Sequence, residues 1–237
     1  MVPEKQLGDF VERVRGAAGA NLKSVILYGS AAAGEYVPEY SDVNLMCLLG
    51  DTSFEAITAL GPVVEWWGKQ KHHAPLLLTA EDLRRGADVF SIEFLDMQQS
   101  YRVLWGDDPL RNLDIPMKFH RVQVEYELRE KTILLRQRLL LVRDDGAKWE
   151  LLLRSVPAFG TLTRHALIAS GEKAVLSKRE AVGKLAAKAG FDPSPILQLF
   201  DVREHKADRK TINVNDMFRR YLKAVEAITA AVDEMLD

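Results

Sequence analysis

The chain has 237 residues, 47% of them apolar and 28% charged, with 32 Lys and Arg against 34 Asp and Glu for a formal net charge of −2. This length accommodates two modest domains with real cores. The near balance of charge disfavours a bulk electrostatic grip on nucleic acid or an anionic membrane. The single cysteine, Cys47, excludes an internal disulfide framework and fits a reducing compartment. Lying in the apolar run "NLMCLL", it reads as a core thiol rather than a nucleophile. The opening "MVPEKQLGDF" carries Glu and Asp and no apolar core, unlike a signal peptide. No apolar stretch approaches the ~18 residues of a membrane span, so the expected location is cytoplasmic.

Taken in order, residues 3–18 read as a helix with Leu7, Phe10, Val11 and Val14 at helical spacing. "SVILY" (24–28) is a short strand ending at Gly29-Ser30, and "DVNLMCLL" (42–49) is a second strand closed by Gly50. A helix is expected from about 53 to 69, capped by Asp51, Thr52 or Ser53, with Phe54, Ile57, Leu60, Val64 and Trp67 on one face. At least one of Trp66 and Trp67 belongs to the core. "APLLLT" (74–79) and "DVFSIEFLDM" (88–97) read as strands separated by the helical stretch "AEDLRR", and "YRVLWG" (101–106) as an edge strand.

The Asp- and Pro-rich "GDDPLRNLDIP" (106–116) then marks a boundary, and no convincing strand follows it. Helices are expected over 117–143, 147–170, 177–189, 194–204 and 214–236. Ser177 and Glu180 stand in capping-box spacing, and Gly190 ends that helix. In the last helix Phe218, Leu222, Val225, Ile228 and Val232 share the apolar face. The fold class is therefore α+β: a mixed sheet with flanking helices in a domain over 1–110, followed by an all-α helical bundle over 116–237.

The chemistry concentrates in the first domain. Residues two apart on a strand share a face, about 6.5–7 Å apart, so Asp42 and Asn44 point together while Val43 and Leu45 point to a core. Glu93 on so apolar a segment needs a cation or donors nearby. Oxygen ligands of this kind suit Mg²⁺, which keeps several waters and commonly links one or two carboxylates to substrate phosphates. Gly29 permits close backbone approach and Ser30 offers a hydroxyl. The following "AAAGEY" reads as the start of a short helix whose N–H groups favour an anion.

Leu27-Tyr28-Gly29-Ser30, Ser41-Asp42-Val43-Asn44 and Ile92-Glu93-Phe94 together resemble the three signature elements of the DNA polymerase β-like nucleotidyltransferase superfamily. Within it the likeness is to minimal and kanamycin nucleotidyltransferase-type enzymes. The resemblance covers residues from about 20 to 108, and the helical half looks like the bundle that accompanies the kanamycin-type domain. It implies metal-dependent transfer of a nucleoside monophosphate from a nucleoside triphosphate, ATP by family habit, to a hydroxyl of a small molecule or protein. Gly29 and Ser30 would hold the triphosphate. Asp42 would bridge two Mg²⁺ or Mn²⁺ ions, Asn44 would add an amide oxygen, and Glu93 would bind the acceptor-side ion and help deprotonate the acceptor.

Two departures stand out. The second metal carboxylate of the family is Asn44 here, which brings no charge, and "AAAGEY" lacks the Arg often found after Gly-Ser. One firmly held ion, arriving with the nucleotide, is the expectation. Asp96 rivals Glu93, but Glu93 matches the third element and Asp96 reads as structural. His72 and His73 diverge if their segment is extended, which argues against a metal pair. Glu125/Arg129 and Glu127/Lys131 form i,i+4 pairs, while Arg129, Lys131 and Arg136 are candidates for meeting phosphate charge. "REHKADRK" (203–210) reads as a solvated loop, because no aromatic residues interleave to stack bases. The competing functions are a catalytically weakened nucleotide-binding regulator and an antitoxin-like partner protein. DNA polymerisation is disfavoured, and homodimer formation is left open.

Overall fold

The structure, a computed structural model, describes residues 3–172 and 176–234. The chain divides into two compact units, Met1–Pro116 and Met117–Asp237. Among the described residues no helix is long and apolar enough to cross a membrane.

The first unit contains α1 (Glu4–Ala18), β1 (Leu22–Tyr28), β2 (Asn44–Leu49), α2 (Phe54–Ala59), α3 (Gly61–Lys69), β3 (Leu76–Thr79), α4 (Ala80–Gly86), α5 (Ser91–Gln99) and β4 (Tyr101–Gly106). The sheet order is β3-β2-β1-β4, with β1 antiparallel to both neighbours and β2 parallel to β3. The central strands are apolar on both faces because both are covered. Val25, Leu27, Leu45 and Cys47 join Leu7, Phe10, Val14 and Trp67 in one core. Ile26, Met46 and Leu48 join Leu83, Phe94 and Met97 in the other. Cys47 is fully buried, and burial pushes its thiol up to about 12, as befits a packing residue.

Strand β2 begins at Asn44, so Asp42 and Val43, expected on it, precede it, and the shared strand face expected for Asp42 and Asn44 is not formed. Two further elements differ more from the sequence reading. The helix expected over 53–69 is two helices that meet at Leu60-Gly61. Pro62 lacks an N–H and its ring crowds the preceding turn, so the first helix ends and a new one begins with Pro in its first turn. Ser53 does cap α2, but Phe54 and Ile57 are exposed and the buried residues are Leu60, Val63 and Trp67.

The larger correction is at 88–97, where helix α5 replaces the expected strand. Its buried residues, Ser91, Ile92, Phe94 and Met97, include the i, i+3, i+6 series 91, 94, 97, a helical pattern that a short apolar run does not distinguish from alternation. Glu93 therefore lies in the first turn of a helix. Asp96, three residues on, is its neighbour on the helix surface rather than a residue of the opposite strand face.

The second unit comprises α6 (His120–Leu141), α7 (Asp145–Ala169), α8 (Lys178–Ala189), α9 (Ser194–Arg203) and α10 (Val214–Glu234). Helix α7 packs against the other four and is apolar nearly all round, as a central helix must be. Pro157 lies inside it and has no N–H to offer the Leu153 carbonyl one turn back. Arg203 of α9 takes that place, donating from Nη1 to the Leu153 oxygen at 2.6 Å. The Ser177–Glu180 capping box forms and Gly190 closes α8. In α10, Phe218, Val225, Ile228 and Val232 are buried, whereas Leu222 is half-buried and Met217 and Tyr221 fill the face instead.

Candidate nucleotide site at the Gly29 end of the sheet

Strand β1 ends at Tyr28, which pairs with Asn44 at the start of β2 and with Tyr101 at the start of β4, so these three residues form one row across the sheet. The chain then leaves the row at Gly29, whose φ of 74° lies in the left-handed region where a side chain is strained. A Cβ there would also lie 3.1 Å from Asn44 Nδ2. Gly29 and Asn44 are thus in contact, and only glycine leaves the Asn44 amide where it is. The Gly29 N–H donates to the Ser100 carbonyl at 3.1 Å, tying the turn to the end of α5.

The stretch after Gly29 is a single turn of 3-10 helix, Gly29–Ala31, which passes into a tight turn rather than continuing through "AAAGEY" as the sequence suggested. The Ala32 and Ala33 N–H groups donate to the Gly29 carbonyl at 2.9 and 3.0 Å, and Glu35 N–H to the Ser30 carbonyl at 3.0 Å. Gly34, at φ 76°, turns the chain away. The Ser30 hydroxyl is half-buried. It makes no hydrogen bond to the described residues, and so is available to a ligand.

The loop returning to β2 is closed on itself. Val37 N–H donates to Ser41 Oγ at 3.1 Å, and Ser41 N–H to the Val37 carbonyl at 2.7 Å. This delivers Asp42 to the sheet rim with an exposed carboxylate, while Val43 plugs the core beneath it. Asp42 Oδ1 lies 3.3 Å from His73 Nε2, both side chains being more than half exposed.

The two adjacent histidines diverge. His72 stacks on Trp67 with ring centroids 4.0 Å apart and meets Gln6 Oε1 through Nε2 at 2.9 Å. Burial holds its pKa below the ordinary value, with Asp42 opposing that shift and His73 adding to it. His73 carried no signal as an Asp42 neighbour in the sequence. Its position follows from the parallel pairing of Met46 with Leu76, which brings the residues preceding β3 level with those preceding β2.

Glu93 is exposed in the first turn of α5. Its charge acts on the Tyr28 phenol, whose pKa is pushed up to about 12 by burial first and by Glu93 second. Tyr28, which sequence reasoning passed over as a strand residue, thus adjoins the turn in sequence and feels the charge of the acid. Asp42, Asn44 and Glu93 are oxygen donors of the type Mg²⁺ takes together with phosphate oxygens and water. Among the described residues, no group of three or more His, Cys, Asp or Glu side chains is arranged to hold an ion by itself.

Arg129, Lys131 and Arg136 of α6, the candidates for meeting phosphate charge, are engaged within their own unit. Arg129 pairs with Glu125 and Asp233 at 2.7 and 2.8 Å, Arg136 with Glu226 at 2.8 Å, and Lys131 with Glu127 at 2.8 Å. Both i,i+4 pairs read from the sequence are formed.

No family model matches the chain, and no curated protein does. Among solved structures, a crystal structure of a toxin–antitoxin with AMP-PNP matches over 42% of this chain and 73% of its own, at 15% identity and a TM-score of 0.30. That degree of likeness leaves the functional argument to the chain's own residues.

Proposed function

We propose that the first unit binds a nucleoside triphosphate with a divalent cation at the Gly29 end of its sheet and transfers the nucleoside monophosphate to a hydroxyl of a small molecule or protein. The observation that carries this reading is the contact of the left-handed Gly29 turn with Asn44, with the exposed carboxylate of Asp42 two residues away. A turn open to close backbone approach, an unengaged hydroxyl at Ser30 and a rim carboxylate are what a metal-bound triphosphate requires. The resemblance of the same three segments to nucleotidyltransferase signatures supports the reading.

In the reaction the acceptor oxygen attacks the α-phosphorus, the bond from that phosphorus to the bridging oxygen breaks, and pyrophosphate leaves. The acceptor proton passes to the Glu93 carboxylate. Gly29 and Ser30 orient the phosphate chain, while Asp42 and Asn44 would hold the cation, which would supply neutralisation of charge on the phosphate oxygens.

A second reading, a nucleotide-binding regulator or antitoxin-like module without turnover, is favoured by one feature: Asn44 stands where a second carboxylate would strengthen the grip on a second ion. Calorimetry of the four nucleoside triphosphates with Mg²⁺ and with Mn²⁺ tests both. Mg²⁺-dependent binding is expected for the native chain and is expected to vanish in Asp42→Ala; equal affinity in that variant would reject the assignment. Asn44→Asp then separates the readings. Pyrophosphate release that appears or rises in this variant marks the native site as weakened, and unchanged release and ion affinity place Asn44 outside the metal shell.

A further inference from the structure

Two loops of the first unit are each held in place, and together they set a carboxylate against an imidazole. The first is the closed turn from Val37 to Ser41, which hands the chain on to Asp42. The second links α3 to β3. Lys71 enters it at φ 66°, in the left-handed region that a residue with a side chain seldom adopts, and its N–H donates to the Gly68 carbonyl at 2.9 Å. His72 is then held by its stack on Trp67 and by Gln6 Oε1, and Gln6 in turn donates from Nε2 to Gln70 Oε1 at 3.3 Å. With His72 fixed in this way, its neighbour His73 meets Asp42 Oδ1 through Nε2 at 3.3 Å.

As an ion pair this contact is weak. A charge-assisted N–H···O bond closes to about 2.7–2.9 Å, and pairs between exposed groups add little; the two side chains are 75% and 55% exposed. The separation fits another role. Two ligands each about 2.1 Å from one ion stand about 3.0 Å apart at the right angle of six-coordination and about 3.4 Å apart at the tetrahedral angle. Asp42 Oδ1 and His73 Nε2 are already spaced to share an ion, and solvent reaches both.

We propose that His73 is a ligand of the cation at the Gly29 end of the sheet, beside Asp42, and that its nitrogen gives this site a preference for a divalent transition ion over Mg²⁺. The inference rests on the cation and triphosphate site proposed above. Asp42 and Asn44 together bring one negative charge, so the hold on an ion depends on donor type as well as on charge. Mg²⁺ takes oxygen ligands. Imidazole nitrogen suits transition ions, and Mn²⁺ also accepts the carboxylate and phosphate oxygens that Mg²⁺ uses.

Electron spin-echo spectroscopy tests the assignment on the full chain, its histidines labelled with nitrogen-15, with Mn²⁺ and each of the four nucleoside triphosphates. The bases stay unlabelled, so any nitrogen-15 coupling to bound Mn²⁺ comes from a histidine. Such a coupling is expected in the native chain and is expected to vanish in His73→Ala, whose circular dichroism should not change because the position is exposed. Calorimetry should show Mn²⁺ held about tenfold more weakly in that variant, a loss of the size that even an outer-shell partner brings, with Mg²⁺ affinity unchanged. Bound Mn²⁺ without the coupling, or a coupling that survives in His73→Ala, would overturn the ligand role of His73 and leave the triphosphate site standing. Equal loss of Mg²⁺ and Mn²⁺ affinity would overturn the preference. A native chain that binds no Mn²⁺ with any of the triphosphates would overturn the site itself, and this inference with it.

Discussion

Polar groups at the Gly29 end of the sheet are handled differently from those of the helical unit. In the helical unit several polar and charged side chains are engaged with one another. Arg129 and Arg136 join α6 to α10 through Asp233 and Glu226, Arg179 binds Asp201 and Glu204 at 2.9 Å, and the buried Tyr221 hydroxyl meets Ser155 Oγ at 3.0 Å. At the Gly29 end of the sheet, by contrast, the Ser30 hydroxyl has no hydrogen-bond partner among the described residues, and Asp42 meets the exposed His73 and acts on His72 by charge. A polar group held by its own chain has little left for a ligand, because that contact must first be broken. The proposed binding at the Gly29 end would therefore have no internal contact of Ser30 to break, whereas Arg129 and Arg136 are held by their own unit.

The contrast is sharpened most by Leu152→Ala. Leu152 is fully buried on α7, and its truncation is expected to lower stability by about 2–5 kcal/mol while folded protein still binds Mg²⁺ and triphosphate. Denaturant titration beside calorimetry reads both, and loss of nucleotide affinity in the folded variant would break the separation of roles. Gly29→Ala comes next, at about 1–3 kcal/mol for placing a side chain in the left-handed region. Because the new Cβ crowds Asn44, weaker nucleotide binding is expected as well; unaltered affinity would show that Gly29 shapes the fold but not the site.

The smallest effect concerns His72, whose pKa is lowered, by burial first. The unfolded chain takes up this proton at higher pH than the folded one. The stabilisation from neutral His72 is therefore complete above the ordinary value of about 6.5 and is lost as pH falls through the lowered value. Urea midpoints measured between neutral and mildly acidic pH should decline, and His72→Gln should flatten that part of the decline. An identical slope in the variant would mean that other groups set the acid limit.

Much of the architecture is written locally. Helix α1, strands β1 and β4 and the Ser177 cap follow from spacing, β-rich runs and capping chemistry that need no distant partner. Helix α5 was not legible in the same way. Phe94 and Met97 pack at helical spacing into the core beneath β1 and β2, but a run of ten residues with Ile92 and Phe94 alternating satisfies a strand equally well. The edge strand expected over 101–106 does form, beside β1, through the pairing of Tyr28 with Tyr101.

At the site, the Gly29 turn was recognisable from its residue types, and its contact with Asn44 follows from β1–β2 pairing. His73 and Tyr28 were not, because their relation to Asp42 and Glu93 depends on strand register and helix docking rather than on neighbours in sequence. The break at Gly61-Pro62 was readable, since proline seldom continues a helix.

Proline inside α7 has a further effect on how the helical unit comes apart. Arg203 closes the gap left at Leu153 from 50 positions away, so α9 cannot peel from the bundle without stranding a carbonyl in the middle of the central helix. Partial opening of α9 thereby acquires a cost that ordinary apolar packing would not impose. The amides of α9 and of the middle of α7 should consequently exchange with solvent together, as a single cooperative segment rather than as a fraying end.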